Sequence, residues 1–256
     1  MKIIGIIPAR LASSRLPQKP FADILGMPMI GHVYHRSKLC TTLDEVYVAT
    51  CDKEIYDYIS SIGGKAVMTS DKHERASDRT AEALLKIELD TNSKMDIVVM
   101  IQGDEPMVTP EMINDSIVPL LNDKSIKITN LMAKMNSIQE HEDPAEVKVV
   151  VDTNNFALYF SREAIPSRKK GVDDVPMLKQ VCIIPFLRNF LLEYNEMAQT
   201  PLEIIESVDM NRILENGIKI KMVLSETDTY SVDTLADLEN VNSKMINDIL
   251  LKSYLN

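Results

Sequence analysis

The chain has 256 residues, of which 45% are hydrophobic and 26% are charged, a composition typical of a soluble globular protein. This length is enough for one large α/β domain, or for one domain with a substantial lobe. The formal net charge of -10 argues against nonspecific binding to nucleic acid or to an anionic membrane surface.

The three cysteines are scattered along the chain, fit no metal-binding spacing and cannot all pair; they are Cys40, Cys51 and Cys182. We interpret them as free thiols in a reducing compartment. The apolar N-terminal run is interrupted by Pro8 and Arg10 and is too short for a signal peptide. No apolar run approaches the length that spans a membrane. We therefore expect a cytoplasmic protein.

The first half of the chain alternates between strand and helix patterns. Strands are predicted at 3–7, 45–50, 65–68 and 96–101, and helices at 28–40, 53–62, 79–88 and 110–121. This βαβ alternation is typical of a parallel sheet with right-handed crossovers. We expect an α/β fold with a Rossmann-like, mostly parallel sheet flanked by helices.

The second half of the chain has a mixed pattern. Strands are predicted at 126–135, 147–151, 157–161, 181–186 and 218–224, and helices at 187–196, 201–216 and 234–254. Residues 166–177 are rich in Pro, Lys and Asp, which indicates a loop. We expect a single domain over 1–256 with an inserted, mixed α/β lobe at about 126–200.

A cationic loop follows the first predicted strand. It carries Arg10, Arg15 and Lys19, together with the hydroxyls of Ser13 and Ser14. Ligands of open α/β sheets bind at the carboxyl ends of the strands, and such cations suit a triphosphate. The alternative is a solvated basic surface loop. The chain has neither a Walker motif nor the Gly-x-Gly-x-x-Gly pattern of dinucleotide sites.

Two carboxylates are candidate metal ligands. Asp104 follows the buried strand at 96–101, and Asp233 precedes the last predicted helix. Mg²⁺ commonly takes one or two carboxylates together with phosphate oxygens. The alternatives are an ordinary aspartate in a strand-to-helix turn and a helix cap, respectively.

Four motifs occur in an order that resembles a known family. They are Ile-Ile-Pro-Ala-Arg-x-x-Ser-Ser-Arg-Leu-Pro-x-Lys-Pro (6–20), Gln-Gly-Asp-Glu-Pro (102–106), the two segments Val-Lys-Val-Val-Val-Asp and Ala-Leu-Tyr-Phe-Ser-Arg-x-x-Ile-Pro within 147–166, and Val-Asp-Thr-x-x-Asp-Leu (232–238). From about residue 3 to residue 245 the sequence resembles the 3-deoxy-manno-octulosonate (Kdo) cytidylyltransferases. The resemblance implies a nucleotide-diphospho-sugar transferase type of fold.

The resemblance also implies a reaction and a set of roles. The anomeric hydroxyl of a 3-deoxy-2-ulosonic acid attacks the α-phosphorus of CTP, and pyrophosphate leaves, in lipopolysaccharide or surface-glycan biosynthesis. Mg²⁺ and a homodimer formed through the lobe, which also binds the sugar, are implied as well. The implied site residues are Arg10, Lys19 and Asp104 for catalysis; Pro8, Ala9, Arg10, Arg15, Lys19, Arg79 and Gln102 for the nucleotide; Gln102, Arg162, Gln180 and Glu206 for the sugar; and Asp104 and Asp233 for the metal.

Three segments depart from the family pattern. The 73–79 loop reads His-Glu-Arg-Ala-Ser-Asp-Arg instead of His-x-Ser-Gly-Thr-Asp/Glu-Arg, so the selection of cytosine is less secure than phosphate binding. Gln180-Val-Cys-Ile-Ile184 stands where the family has His-x-Gly-x-Tyr/Phe. Met210 replaces a glutamine, which removes hydrogen bonds from the predicted sugar pocket.

These departures leave alternatives open. The acceptor is either Kdo, with drifted pocket residues, or a modified Kdo such as an 8-amino form, because polar sites discriminate strongly when their groups change. A related synthetase for another sugar acid or another nucleotide is a further alternative. So is a noncatalytic nucleotide-binding homologue, although retention of the cations and carboxylates argues against it.

Overall fold

The computed structural model describes residues 1–13, 15–172 and 174–255, and the chain divides into two compact units. The first unit contains Met1–Asn114 and Thr229–Asn256, and the second contains Asp115–Asp228. In the described part of the chain, no helix is long and apolar enough to cross a membrane.

The first unit contains a parallel sheet. The strands of this unit are β1 (Ile3–Ala9), β2 (Asp23–Ile24), β3 (Met27–Pro28), β4 (Glu45–Thr50), β5 (Lys65–Met68) and β6 (Ile97–Ile101), of which β2 and β3 form a separate antiparallel pair. Within this unit the larger sheet runs in the order β6-β1-β4-β5, and all its neighbours are parallel. Every residue of β1 is buried, which explains its unbroken apolar sequence. The predicted parallel sheet is therefore confirmed.

Helices follow these strands as the sequence predicts. They are α1 (Met29–Lys38), α2 (Lys53–Ser61), α3 (Ala76–Thr91) and α4 (Pro110–Asn122), the last of which runs on into the second unit. Helix α2 ends before Gly63, whose positive φ of 74° is a backbone conformation that glycine adopts without strain. Helix α3 begins three residues before the predicted start at Arg79.

The second unit has a mixed sheet. The strands of this unit are β7 (Thr129–Lys134), β8 (Lys148–Val151), β9 (Ala157–Ser161), β10 (Leu178–Val181), β11 (Ile183–Leu187) and β12 (Lys221–Leu224), and all of them except β11 form the mixed sheet. The order is β12-β7-β10-β8-β9, in which β7 and β12 are parallel and the other neighbours are antiparallel. Its helices are α5 (Ile138–Glu142), α6 (Arg188–Asn195), α7 (Pro201–Glu206) and α8 (Met210–Glu215).

Three predicted elements were wrong in their extent. The segment predicted as one strand at 181–186 contains the end of β10 and most of β11, which are separated at Cys182. The two strands differ in burial, since β10 is buried at alternate residues and β11 at all but its last residue. The helix predicted at 201–216 is broken into α7 and α8 at Ser207, which has a left-handed φ of 53°. The helix predicted at 234–254 ends early, as α9 (Leu235–Met245), and a short 3-10 helix at Ile249–Ser253 follows.

The early end of α9 has a physical cause in a buried arginine. Arg36, on α1, is 1% exposed and bonds to Asp248 at 2.5 Å between Nη1 and Oδ2. It also donates from Nε to Val108 O at 2.6 Å and from Nη2 to Met107 O at 3.2 Å. Asp248 accepts a bond from Leu250 N at 2.9 Å, which caps the 3-10 helix. One guanidinium thus fixes both the C-terminal turn and the segment that follows Asp104.

This network predicts a large loss of stability when Arg36 is neutralised. Arg36→Met removes the cation that faces Asp248 and the donors to two backbone carbonyls, so we expect the free energy of unfolding to fall by about 3–5 kcal/mol. Chemical denaturation measures the change. The matched control is Lys38→Met on the same helix, whose exposed pair with Glu45 at 3.3 Å should contribute about 1 kcal/mol or less. Equal losses in the two variants would contradict the structural role of Arg36.

Candidate active site

A cavity of about 330 Å³ lies in the first unit, where β1 and β6 end. This is the edge at which open α/β sheets bind ligands. Ser13 lies in its wall, whereas Ser14 is outside the described residues. The wall also contains the residues predicted to contact the nucleotide or the metal, which are Pro8, Ala9, Arg10, Arg15, Lys19, Arg79, Gln102, Asp104 and Asp233.

Two short segments shape the cavity floor. The loop after β1 is held where Leu11 N donates to Asp52 Oδ2 at 2.7 Å, just beyond the end of β4. The turn after β6 contains Gly103, where an added Cβ would lie 3.2 Å from Pro8 O and 3.3 Å from Ile30 Cδ1. A glycine at this position therefore lets the turn that carries Asp104 approach the end of β1 closely.

Lys19 lies between the two predicted metal ligands. Its Nζ is 2.7 Å from Asp104 Oδ2 and 2.7 Å from Asp233 Oδ1. Arg15 Nη2 is 3.0 Å from the other carboxylate oxygen, Oδ2, of Asp233. The Lys19 side chain is 13% exposed, and the two carboxylates are 22% and 24% exposed, so the three groups interact partly shielded from water.

The electrostatics of this cluster keep Lys19 charged. Burial lowers the pKa of Lys19, but the Asp104 carboxylate and the hydrogen bonds to Asp104 and Asp233 outweigh burial and raise the pKa above its ordinary value. The ammonium is therefore a permanent cation near neutral pH, facing two carboxylates.

Apolar packing brings the three segments together. Leu16, in the cationic loop, and Val232, next to Asp233, are buried in one cluster with Ile24, Val241 and Met245. A backbone bond of 2.9 Å from Val232 N to Asp104 O joins the last two segments directly. The backbone segments that carry the charged side chains are thus anchored by a buried apolar cluster, which fixes their positions at the cavity.

The 73–79 loop forms another wall of the cavity. Arg79 is 3% exposed and donates from Nη1 to Ser70 O at 3.1 Å and to the hydroxyl of Thr69. Its other terminal nitrogen, Nη2, is buried and has no hydrogen-bond partner among the described residues. An unsatisfied buried donor of this kind in a cavity wall is suited to a ligand acceptor.

Glu82, on α3, organises the same loop. Its carboxylate accepts bonds from Ser70 N at 2.9 Å and from His73, and it pairs with Lys86. Burial raises the pKa of Glu82, but the bonds from Lys86, Ser70 and His73 lower it to about 2. The loop is therefore anchored by an ionised carboxylate at neutral pH.

The sequence associated the 73–79 loop as a whole with the cytosine, but Arg79 was its only residue predicted individually as a ligand. His73, Glu74, Arg75 and Ala76 line the cavity together with Arg79. A position directly before a helix is the sequence feature that could have identified these residues as candidate ligands. The start of α3 was predicted too late, at Arg79 instead of Ala76, so all four residues were assigned to a loop.

The remaining predicted sugar ligands lie in the second unit and are not part of this cavity wall. Glu206 accepts bonds from Tyr159 Oη at 2.7 Å, Ser161 Oγ at 2.9 Å and Arg162 N at 2.8 Å. Gln180 Nε2 donates to Asn130 Oδ1 at 2.7 Å. Arg162 and Glu206 thus form one cluster, and Gln180 is engaged by a different neighbour.

In the cluster of Glu206, Tyr159, Ser161 and Arg162, which we call the Glu206 cluster, the hydrogen bonds shift the pKa values of Glu206 and Tyr159 in opposite directions. Burial raises the pKa of Glu206, but the bonds from Arg162 N, Tyr159 and Ser161 outweigh burial and lower it. Burial and the bond to Glu206 raise the pKa of Tyr159 to about 12. Near neutral pH this cluster therefore consists of a carboxylate, a neutral phenol and a guanidinium.

Comparison with known proteins identifies the family. The family model described as Cytidylyltransferase matches residues 4–220. A 3-deoxy-manno-octulosonate cytidylyltransferase of Geobacter metallireducens is 39% identical over 255 residues, which cover 96% of this chain and 98% of that protein. This chain belongs to the 3-deoxy-manno-octulosonate cytidylyltransferase family. A second member, from Syntrophobacter fumaroxidans, is 43% identical over 242 residues, covering 94% of this chain and 96% of its own.

A solved structure supports the same assignment for this cytidylyltransferase. The structure described as CMP:2-keto-3-deoxy-manno-octonic acid synthetase complexed with CTP matches with a TM-score of 0.86 and 36% identity. The match covers 96% of this chain and 99% of that chain. The predicted α/β fold is confirmed, and the protein is a nucleotidyltransferase.

The cavity of this cytidylyltransferase offers two carboxylates to a metal. In the described part of the chain, no group of three or more His, Cys, Asp or Glu side chains could hold a metal ion by itself. Asp104 and Asp233 nevertheless face one point, which the Lys19 ammonium occupies. Two carboxylate oxygens directed at one cation are a donor set that suits a hard divalent metal ion.

Proposed function

We propose that this enzyme transfers the cytidylyl group of CTP to the anomeric hydroxyl of Kdo and releases pyrophosphate, as a step in the synthesis of lipopolysaccharide or another surface glycan. The observation that carries the proposal is the meeting of Arg10, Arg15 and Lys19 with Asp104 and Asp233 in one cavity. Cations and carboxylates at a strand edge are the parts that a metal-bound triphosphate requires.

The chemistry needs charge neutralisation more than a strong base. The anomeric oxygen forms a bond to the α-phosphorus, the bond from that phosphorus to the bridging oxygen breaks, and the hydroxyl proton passes to water. Negative charge grows on the departing pyrophosphate. We propose that Arg10, Arg15 and Lys19, which line the cavity, hold those phosphate oxygens and stabilise the charge as it develops.

The walls of the cavity supply the remaining nucleotide contacts. Pro8, Ala9 and Gln102 stand at the ends of the two strands and are proposed to bound the nucleoside. The unpartnered Nη2 of Arg79 is a donor available to the base or to a phosphate.

We propose Mg²⁺ as the metal, held by Asp104 and Asp233. When bound, it would polarise phosphate oxygens and neutralise part of the triphosphate charge. Because Lys19 takes the same two carboxylates in this structure, metal and lysine compete for them. A triphosphate relieves the competition by offering Lys19 and Arg15 other anions, so nucleotide and metal should bind cooperatively.

The second unit is proposed to hold the sugar acid and to form a homodimer. Arg162 and Glu206 are the candidate groups for the substrate carboxylate and hydroxyls, and Gln180 for a further hydroxyl. The exposed fractions of Leu158, Ile204 and Ile205 in this unit are 61%, 60% and 74%, and exposed apolar side chains of this kind are suited to burial against a second copy of the chain. We also propose that the enzyme acts in the cytoplasm, in line with its three free cysteines.

The test is pyrophosphate release by the purified protein with Mg²⁺, CTP and Kdo, and with 8-amino Kdo in a parallel reaction. We expect a CMP-sugar product, identified by its mass. Turnover of Kdo alone assigns Kdo as the substrate, and turnover of the amino sugar alone assigns the modified acid. Activity with another nucleotide or sugar acid only, or no activity at all, would contradict the proposal.

The competition between metal and lysine gives a separate prediction. Without nucleotide, Lys19→Met should bind Mn²⁺ about tenfold more tightly than the wild type, because the two carboxylates lose their internal cation. Asp104→Asn should bind Mn²⁺ more weakly. Paramagnetic resonance of free Mn²⁺ measures both.

Lys53→Met is the matched control, since Lys53 forms an exposed pair with Asp57 on α2. Its Mn²⁺ affinity should equal that of the wild type. Unchanged Mn²⁺ affinity in both Lys19→Met and Asp104→Asn would show that the metal site is wrongly placed.

A further inference from the structure

Lys148, on β8, has no part in the chemistry described above and is nevertheless fully buried. Its Nζ donates to Asp143 O at 2.8 Å, to Glu146 O at 2.8 Å and to Arg162 O. An ammonium has three N–H donors, so backbone carbonyls use all of them. In the described part of the chain Lys148 has no ion-pair partner.

A second cation binds the same turn. Arg162 donates from Nη1 to Pro144 O at 2.8 Å and to Ala145 O at 3.4 Å. Residues 143–146 therefore direct four successive carbonyls at two side chains, with Lys148 taking the outer two and Arg162 the inner two. We call this segment the carbonyl turn. The turn is closed internally by bonds from Ala145 N to Asp143 Oδ1 at 2.8 Å and from Glu146 N to Asp143 O at 3.2 Å, and the two cations bind its outward carbonyls in addition.

The backbone of Arg162 is fixed from both directions. Its carbonyl accepts from Lys148, and its N–H donates to Glu206 Oε2 at 2.8 Å. Its Nε donates to Glu206 O at 2.9 Å. Lys148 is thus connected to Glu206 through hydrogen bonds to a single intervening residue, Arg162.

These bonds decide which part of the guanidinium remains available. Nε and Nη1 of Arg162 are both used by backbone carbonyls. Nη2 makes no hydrogen bond to any described residue, and Arg162 is only partly buried. One terminal N–H group is therefore held in a fixed direction with its donors free for an anion.

The cost of burying Lys148 indicates that its charge has a use. An ammonium without a carboxylate partner loses hydration that carbonyls replace only in part. Burial lowers the pKa of Lys148, even though Asp143 and Glu146 favour its charged form. An apolar side chain would fill the same space without this cost but would remove three hydrogen bonds, two to the carbonyl turn and one to the carbonyl of Arg162.

We propose that Lys148 is a positioning residue for the sugar acid: it clamps the carbonyl turn to Arg162, and so aims the free Nη2 of Arg162 at the carboxylate of the substrate. The inference rests on the proposed role of Arg162 in binding that acid. It adds a residue that acts on acceptor binding alone, since Lys148 touches neither the nucleotide cavity nor its carboxylates.

The test is steady-state kinetics of Lys148→Met, an apolar replacement of similar length, and of Lys148→Gln, which keeps two N–H donors. KM is measured for Kdo at saturating CTP and for CTP at saturating Kdo. We expect KM for Kdo to rise about tenfold or more in Lys148→Met, and by less in Lys148→Gln. KM for CTP should stay within about twofold in both variants.

Lys179→Met is the matched control. Lys179 pairs in register with Lys148 across the sheet and is also buried, but its ammonium binds the carboxylates of Glu140 at 2.7 Å and Glu146 at 3.3 Å. We expect this variant to lose stability while its KM for Kdo remains within about twofold. Circular dichroism establishes folding, and Lys148→Gln is the decisive variant if Lys148→Met does not fold.

Three results would overturn the inference: an unchanged KM for Kdo in a folded Lys148 variant, equal rises of the two KM values, or the same rise in Lys179→Met. Failure of the proposed function would look different, because the wild type itself would then not use the sugar acid. The wild-type reaction measured alongside separates the two failures.

Discussion

The contact of one ammonium with two carboxylates is the interaction on which the proposed nucleotide site depends. Lys19 is separated along the chain by 85 residues from Asp104 and by 214 residues from Asp233. An acidic protein can bind a triphosphate only where its cations are gathered and its carboxylates are neutralised or given to a metal. Here both conditions are met at one point. Three segments surround this point: the cationic loop, the turn after β6 and the segment before α9.

The rest of the first unit keeps these three segments in place. A buried cluster that includes Leu16 and Val232 fixes the first and the last segment against each other. Gly103 lets the middle segment approach β1, and Arg36 holds the chain just beyond it. A site with several charged side chains needs a rigid backbone, because the cations repel one another and the carboxylates are better hydrated when they point into solvent. The affinity of the site for anions is thus a property of its apolar base as well as of its cations.

Much of the first unit could be predicted from the sequence. Continuous apolar runs such as the one at 3–7 and the alternation of strands with helices indicate a parallel sheet. The edge of such a sheet is expected to bring Arg10, Arg15 and Lys19 near Asp104. The break at Ser207 could not be predicted, because a left-handed serine has no glycine or proline to mark it. Arg36 and Lys148 were missed for a related reason. A lysine or arginine in a sequence predicts a solvent-exposed side chain, and only the fold reveals that backbone carbonyls surround it.

The most direct test of this account is a crystal structure with CTP and Mn²⁺, in which anomalous scattering locates the metal. The account predicts Mn²⁺ between Asp104 and Asp233, and Lys19 moved from these carboxylates onto phosphate oxygens. Mn²⁺ bound away from both aspartates would contradict it. So would a triphosphate that binds while Lys19 stays between the two carboxylates.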